Sequence, residues 1–161
     1  MSGNASMNGN ASSPIGEREA LALLEAAAEA RTRAYIPYSG FAVGAALLDA
    51  EGVVHPGCNI ENAAYGPTNC AERTALFSAV AAGRAPRSFR AIAVTADTAE
   101  PVTPCGTCRQ VLAELCAPDM PVVLGTIRGK WRVTTVAELL PGAFSSAQLE
   151  EDEARKGGAR P

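Results

Sequence analysis

The spacing of apolar residues near the start of the chain is that of a helix. The segment from Glu17 to Ala34 is rich in alanine, and Leu21, Leu24 and Ala28 recur every three or four residues. That period places the three side chains on one stripe of an α-helix, where they would face a core. We therefore predict an amphipathic first helix that is buried along this stripe.

Beyond this helix, short apolar runs alternate with helical patterns. The runs 41–48 and 53–58 are joined by four residues that include Gly52, which is the pattern of a β-hairpin. After the hairpin we predict a helix over 70–82, a strand over 90–96, a helix over 105–116, strands over 121–126 and 131–134, and a short helix over 136–140. The order α-β-β-α-β-α-β-β-α predicts an α/β fold.

The two middle helices each follow a strand and a loop, which fixes where a ligand would bind. A strand, a crossover helix and a second strand form a right-handed unit, and such sheets bind ligands beyond the carboxyl ends of their strands. The helices begin at Cys70 and Cys105. Both cysteines are therefore expected at one edge of the sheet, although they are distant in sequence.

Length and composition indicate one domain with two polar tails. The chain has 161 residues, of which 47% are hydrophobic and 19% charged, and this is enough to build one core. Residues 1–13 are rich in Asn, Ser and Gly, and residues 148–161 are charged and glycine-rich, so we expect both tails to be disordered. The domain itself is expected over 14–147.

Charge and hydropathy narrow the classes of partner. The formal net charge is −3, and no Lys/Arg-rich run offers a footprint for a phosphate backbone, so we expect no nucleic-acid partner. No apolar stretch approaches the roughly 18 residues of a membrane-spanning helix, and the start of the chain does not resemble a signal sequence. The expected protein is cytoplasmic, without a membrane partner, and acts on a small molecule.

The cysteine and histidine counts restrict the chemistry further. Five cysteines form an odd set in a chain with no export signal, so a disulfide framework is improbable. The single histidine, His55, excludes any zinc site with two histidine ligands, and we interpret it as an ordinary, partly exposed side chain. Cys58 and Cys116 lack partners at useful spacing and are interpreted as small buried hydrophobic residues.

The remaining three cysteines have the spacing of a metal site. Cys105 and Cys108 lie three residues apart at a helix start, on one face, where the helix dipole favours thiolates. Such a pair alone could equally be a redox dithiol. With Cys70 at the start of the neighbouring helix, the set matches a catalytic zinc site with three protein ligands and water in the fourth position.

Glu72 distinguishes a reactive site from an inert one. It stands two residues after Cys70 in the first turn of a helix, where its carboxylate could reach a water on the metal. General acid–base catalysis requires such a group. A structural zinc module or a thiol-redox module would not require it, and both remain alternatives at this point.

Together these motifs resemble the zinc-dependent cytidine deaminases, specifically the short, homotetrameric ones. The matching segments are 38–41, 43–46, 57–62, 70–73, 104–110 and 134–141, and the resemblance runs from about Glu17 to Phe144. It implies an α-β-α sandwich with a central mixed sheet of about five strands. It also implies one zinc ion per chain and active sites that are shared between subunits.

The resemblance also assigns roles to individual residues. It implies that zinc-activated water attacks C4 of cytidine or deoxycytidine, that Glu72 carries the protons, and that uridine or deoxyuridine and ammonia leave. Asn59 and Glu61 match the residues that hold the ribose, and Phe41 matches the ring against the base. The base edge would be read near Ala71, Thr103 and Pro104, while Tyr65 and Phe144 match residues of the contact between subunits. A deaminase of another aminopyrimidine nucleoside remains an alternative.

The net charge of the predicted zinc site calls for a compensating cation. Three thiolates and Zn²⁺ sum to −1, which makes the metal a poorer Lewis acid than a histidine-containing site would. Arg73, next to Glu72, could donate to the sulfurs and withdraw electron density from them. Arg109 lies beyond its cysteine in the helix and is the weaker candidate.

Overall fold

The helix and strand patterns fold in the predicted order in the computed structural model, which describes residues 15–149. The elements are α1 (Glu17–Arg31), β1 (Val43–Leu48), β2 (Val54–Cys58), α2 (Ala71–Ala81), β3 (Ala91–Ala96), α3 (Gly106–Leu115), β4 (Pro121–Thr126), β5 (Trp131–Thr135) and α4 (Val136–Leu139). The predicted tails lie almost entirely outside the described residues, so their disorder and the domain limits stay predictions.

The strands form one mixed sheet in the order β2-β1-β3-β4-β5. β1 is antiparallel to both β2 and β3, β3 is parallel to β4, and β5 is antiparallel to β4. β2, β3 and β4 therefore run in the same direction, and α2 and α3 are the crossovers between them. The prediction of an α/β fold with a five-stranded mixed sheet is confirmed.

Helices cover both faces of the sheet. α1 packs on one face, where small residues of the helix meet Ala46, Ala93 and Val123. The other face is covered by α2, α3 and α4, with Leu47 and Val94 among its fully buried side chains. The result is three layers, α-β-α, with a core on each side of the sheet.

The stripe predicted for α1 is wrong by one position. Ala20, Leu23, Ala27 and Ala30 are buried, whereas Leu21 is 42% exposed. Helical period alone could not distinguish the two stripes, because alanine and leucine occur on both. The sheet decides the choice, because β1 approaches the backbone of α1 at Ala27 and Arg31.

Gly44 marks that close approach. A Cβ atom on this residue of β1 would lie 1.9 Å from the carbonyl oxygen of Ala27 and 2.7 Å from the amide of Arg31. These distances are well inside van der Waals contact, so only glycine allows the α1 backbone to rest on the strand.

The hairpin of β1 and β2 is closed by a buried carboxylate. Asp49 is only 1% exposed; its Oδ1 accepts hydrogen bonds from the amides of Glu51 and Val53, and its Oδ2 accepts one from Nε2 of His55 at 2.9 Å. Nε of Arg84 lies 2.9 Å from the same Oδ2. The hydrogen bond from His55 is the largest cause that lowers the pKa of Asp49. His55 thus has a structural partner at the end of the hairpin.

Within residues 15–149, no helix combines the length and the apolar character that crossing a membrane requires.

Candidate functional site

One edge of the sheet gathers chain segments that are far apart in sequence. In the register of the strands, Gly44 at the start of β1 lies opposite Cys58 at the end of β2 and Thr95 near the end of β3. The segments before β1, after β2 and after β3 therefore meet there. Cys70 and Cys105 are the residues that immediately precede α2 and α3 and have extended backbones. The two helices therefore begin at the same edge of the sheet, as predicted.

Three sulfur atoms converge at this edge. The Sγ atoms of Cys70, Cys105 and Cys108 all lie within 4.8 Å of one another, and those of Cys70 and Cys105 are 3.8 Å apart. Two sulfurs bound at about 2.3 Å to one tetrahedral zinc ion would themselves be about 3.8 Å apart. The donor atoms suit zinc, and the Cys70–Cys105 pair already has the spacing that tetrahedral zinc requires.

The surroundings of the Cys70 sulfur favour its thiolate form. Cys70 and Cys105 each cap the amino end of a helix, where the helix dipole stabilises negative charge. A hydrogen bond from the Cys108 thiol, with help from Arg73 and Cys105, lowers the pKa of Cys70 to about 5. The pKa of buried Cys108 is raised by the same hydrogen bond, because the two sulfurs share one proton.

The two arginines near the cluster have different partners. Nη2 of Arg73 donates to Sγ of Cys70 at 3.4 Å and to the carbonyl of Thr68 at 3.3 Å. Arg109 donates instead to the carbonyls of Pro104 at 2.8 Å and of Leu139 at 3.1 Å. Arg73 has direct access to the sulfur charge, whereas Arg109 ties the start of α3 to the segment before it and to α4.

A buried carboxyl group lies beside the sulfurs. Glu72, the second residue of α2, is 4% exposed. Its burial raises the pKa, and the neighbouring charge of Cys70 raises it further. A buried acid whose pKa moves toward neutrality, next to a potential metal site, is suited to accept and return protons.

A cavity of about 310 Å³ connects these groups with a polar region. Most of the predicted site residues line this one space. Its lining consists of Ser39, Phe41, Val43, Asn59, Glu61, Thr68, Cys70, Ala71, Glu72, Val94, Val102, Thr103 and Cys105. A second, more open cavity of about 420 Å³ is lined by Tyr38, Ser39, Glu61, Tyr65 and Thr68, and so shares Glu61 with the first.

Asn59 joins the end of β2 to the segment that precedes β1. Its Oδ1 accepts from the amide of Val43 at 2.9 Å, and its Nδ2 donates to the carbonyl of Phe41 at 2.8 Å. Each of these atoms retains capacity for a second hydrogen bond. Asn59 can therefore hold Phe41 in place and still contact a ligand in the cavity.

Glu61 is held by the segment that precedes β1. Its Oε2 accepts from the amides of Tyr38 at 2.9 Å and Ser39 at 3.1 Å, and its Oε1 accepts from the Ser39 hydroxyl. The hydrogen bond from the Ser39 side chain is the largest cause that lowers the pKa of Glu61. The carboxylate is thus ionised at neutral pH and presents only acceptors to the cavity.

Comparison with known proteins assigns the family. Residues 17–124 match the model of the cytidine and deoxycytidylate deaminase zinc-binding region. A cytidine deaminase of Sporosarcina psychrophila is 58% identical over 127 residues, which are 79% of this chain and 92% of that protein. One from Halalkalibacterium halodurans is 57% identical over 80% of this chain and 96% of its own length. The chain belongs to the cytidine deaminase family.

Solved structures of the cytidine deaminase family agree with the fold. The crystal structure of the cytidine deaminase from Burkholderia pseudomallei superimposes with a TM-score of 0.76 at 58% identity. The match covers 77% of this chain and 98% of that one. The matched family region is a zinc-binding region, and the sulfur cluster lies within it. Zinc is accordingly the cofactor of this chain.

Five predicted site residues do not line the cavity that contains Glu72: Cys108 and Arg73, which adjoin the sulfur of Cys70, and also Pro104, Tyr65 and Phe144. Pro104 is fully buried, and its carbonyl accepts the hydrogen bond from Arg109. Tyr65 is 74% exposed, has a left-handed backbone with φ of 56°, and packs edge-to-face on Tyr38 at 6.2 Å between ring centroids. Phe144 is 57% exposed, and its carbonyl accepts from Nε2 of Gln110 at 2.9 Å.

The remaining cysteines of this deaminase lie away from the sulfur cluster. Cys116, at the end of α3, is fully buried, and burial raises its pKa to about 12, so the thiol is inert at neutral pH. Cys58 is half-buried at the end of β2. The interpretation of Cys116 as a buried hydrophobic residue is confirmed, while Cys58 is only partly covered.

Several residues that line the cavity were not identified as site residues from the sequence. Val94 and Val102 form part of its apolar wall, and Ser39 and Thr68 form part of its polar wall. Ser39 lies within the segment 38–41 that resembles the family, but nothing in its own pattern distinguishes it from a loop serine. The only available signal was its position two residues before Phe41.

Proposed function

We propose that this protein hydrolyses cytidine and deoxycytidine to uridine and deoxyuridine, releasing ammonia, as part of pyrimidine salvage. The observation that carries this proposal is the single cavity in which buried Glu72 adjoins the sulfur cluster, while Asn59 and Glu61 line its polar part. The names of the relatives support it as well. A thiol-redox module would leave a buried, proton-accepting carboxyl group without a role.

Cys70, Cys105 and Cys108 are the proposed ligands of one zinc ion per chain. Their spacing fits tetrahedral coordination, and water completes the fourth position in catalytic sites of this type. Bound zinc supplies the Lewis acidity that makes water nucleophilic near neutral pH. The proposed role of Arg73 is to offset the excess negative charge of three thiolates through its hydrogen bond to Cys70.

Glu72 is the proposed proton carrier. Its carboxylate takes a proton from the attacking water and delivers it to N3 of the pyrimidine. It then takes the second proton from the hydroxyl formed at C4 and delivers it to the departing amine, which leaves as ammonia. Burial keeps its pKa high enough to hold a proton between these transfers.

The substrate is positioned by groups from three segments. Phe41 provides an aromatic surface for the base, and the proposed contacts with the base edge are the backbone groups near Ala71 and Thr103, which line the cavity, and near Pro104, which is buried behind it. Asn59 and Glu61 hold the sugar hydroxyls, since Glu61 can only accept hydrogen bonds and the Asn59 amide can both donate and accept. This division accounts for the polar and apolar parts of the cavity.

The lining favours a nucleoside over a nucleotide. Among residues 15–149, neither cavity is lined by a lysine or an arginine, and Glu61 lines both. A phosphate on the sugar would therefore meet a carboxylate without a compensating cation. We expect poor activity on deoxycytidylate for this electrostatic reason.

A substrate panel tests the proposed function. Zinc-loaded protein is incubated with cytidine, deoxycytidine, cytosine, deoxycytidylate and adenosine, and the loss of pyrimidine or purine absorbance is followed. Turnover of the first two with little on the other three supports the proposal. Turnover of deoxycytidylate at a comparable rate, or of none of the five, would refute it.

The proposed assembly is a homotetramer with shared sites. Phe144 is exposed and lines neither cavity of its own chain, which suits a residue that completes a neighbour's site. Tyr65 and Tyr38 present aromatic rings at the mouth of the open cavity, where a second subunit could cover them. The proposed location is the cytoplasm, where free cysteines such as these are kept reduced.

A further inference from the structure

One hydroxyl group connects the two proposed substrate contacts. The Oγ atom of Ser39 donates to Oε1 of Glu61 and accepts from the amide of Phe41 at 3.0 Å. A serine hydroxyl has one donor and two acceptor positions, so both of these hydrogen bonds can form at once. The group that is proposed to hold the sugar is thereby linked to the residue that carries the ring against the base.

The rest of the Glu61 environment leaves Oε1 dependent on Ser39. Oε2 is fixed by two backbone amides, those of Tyr38 and Ser39, which no side-chain substitution removes. Oε1 has the Ser39 hydroxyl as its described hydrogen-bond donor. A glutamate side chain with several rotatable bonds loses conformational entropy when it is held in one orientation. Because the hydrogen bond from Ser39 already holds Glu61, less of this entropy is lost when the substrate binds.

We infer that Ser39 is a positioning residue for substrate binding, which orients the Glu61 carboxylate and fixes the backbone of Phe41 before the nucleoside arrives. Ser39 is exposed, and the proposal requires no contact between its side chain and the reacting atoms. The inference rests on the proposed function, because it takes Glu61 and Phe41 to be substrate contacts. Pre-organised polar groups bind ligands more tightly than mobile ones.

The test uses a pair of variants with the same shape. Ser39→Thr keeps the hydroxyl, whereas Ser39→Val has the same branched outline without it, and exposure of the site leaves room for the added methyl groups. With zinc-loaded protein, we expect Ser39→Val to raise the KM for cytidine about tenfold, the loss expected for a hydrogen bond to a charged group. We expect kcat to change less than about twofold, since binding rather than chemistry is affected.

The matched controls keep this result specific. Ser39→Thr should retain the KM of the unmodified protein within about twofold. Ser88→Ala removes another exposed hydroxyl, one that bonds only to the carbonyl of Ala85, and should leave KM unchanged. Equal KM values for Ser39→Thr and Ser39→Val would overturn the inference, as would a loss confined to kcat.

A double-mutant cycle with Glu61→Gln separates this inference from the proposed function. If Ser39 acts through Glu61, Ser39→Val should raise KM by a much smaller factor in the Glu61→Gln background than in the unmodified protein. Equal factors in the two backgrounds would overturn the positioning role. If Glu61→Gln leaves KM unchanged, the proposed sugar contact fails. If it raises KM while Ser39→Val does not, the sugar contact stands and the role of Ser39 fails.

Discussion

The chemistry at the residue scale depends on how negative charge is distributed around three sulfur atoms. Cys70 and Cys105 stand at the amino-terminal ends of α2 and α3, and Arg73 adds a full positive charge beside Cys70. Glu72 is buried against this cluster and has a raised pKa. In the proposed zinc site, this arrangement would offset the excess negative charge of the three sulfur ligands within a few ångströms.

Replacing a proposed ligand should remove the metal and the activity together. Cys70→Ala leaves two sulfurs, too few for a stable catalytic zinc site, so we expect loss of stoichiometric zinc by elemental analysis and of cytidine turnover. In the unmodified protein, X-ray absorption should give zinc–sulfur distances of about 2.3 Å. Cys58→Ala is the matched control and should keep its zinc; full zinc occupancy in Cys70→Ala would contradict the ligand assignment.

Replacing the proposed proton carrier should spare the metal. Glu72→Gln preserves the size of the side chain but cannot transfer protons, so we expect kcat to fall at least about 10²-fold with one zinc per chain retained. Glu114→Gln alters an exposed glutamate on α3 and should have no such effect. Near-normal turnover of Glu72→Gln would assign the proton transfers to another group.

At the scale of elements, two glycines let helices rest directly on the sheet. Gly44 admits α1 on one face, and Gly57 admits α2 on the other, where a Cβ would lie 2.3 Å from the carbonyl of Ala71 and 2.6 Å from the amide of Ala75. The turn that touches Gly57 is the one that follows Cys70 and contains Glu72. The packing of α2 on β2 therefore sets the position of the site.

The two glycines provide a matched pair of variants. Both Gly57→Ala and Gly44→Ala force a methyl group into helix backbone, and each should lower the free energy of unfolding by at least about 1–3 kcal/mol. Only Gly57→Ala should also reduce zinc affinity and turnover per folded chain, because α1 contributes no residue to the cavity. Thermal unfolding, zinc titration and kinetics measure the three effects, and equal losses of zinc affinity would contradict this account.

The buried carboxyl group of Asp49 in the hairpin should make a pH-dependent contribution to the free energy of unfolding. The folded-state pKa of Asp49 lies below its ordinary value of 3.8, chiefly through the hydrogen bond with His55. A lowered carboxyl pKa stabilises the fold at pH values above the unfolded-state pKa, and that stability is lost as the pH falls through the folded-state pKa. The difference in melting temperature between the unmodified protein and Asp49→Asn should therefore be at its full size above about pH 5 and shrink below about pH 4. A difference that stays constant with pH would contradict this role.

At the scale of the whole molecule, the distribution of aromatic residues separates catalysis from assembly. Phe41 lines the cavity of its own chain, whereas Phe144 lies outside it and is exposed. A base held by one aromatic ring gains further contact if a neighbouring subunit supplies another. The proposed shared site follows from this incomplete enclosure.

Mixing inactive Glu72→Gln chains with Phe144→Ala chains tests the shared site. Phe144→Ala should raise the KM for cytidine and leave the zinc content intact, since contact of an aromatic ring with a base contributes about 1–3 kcal/mol. Co-refolding Phe144→Ala with Glu72→Gln chains should regenerate some sites with intact Glu72 from one chain and intact Phe144 from the other. Kinetics equal to the sum of the two parent proteins, despite verified mixed oligomers, would place Phe144 in its own chain's packing.

Local patterns were sufficient for much of the fold. The hairpin and the order of helices and strands were predictable because each element carries its own period and its own terminating residues, whereas the five-stranded mixed sheet was expected only from the family resemblance. The buried stripe of α1 was not predictable. It depends on the close approach at Gly44, which only the paired strand and helix create.

For the site, the sequence by itself determined which residue types were available for chemistry, namely three cysteines and a glutamate at the starts of two helices. Only the tertiary structure decided that the three sulfurs lie within 4.8 Å of one another, that Glu72 is buried, and that Ser39 joins Glu61 to Phe41. The physical reason is that distances, burial and hydrogen bonds arise between segments that the sheet brings together. Local sequence patterns specify the segments, and the register and packing of the sheet specify how those segments meet.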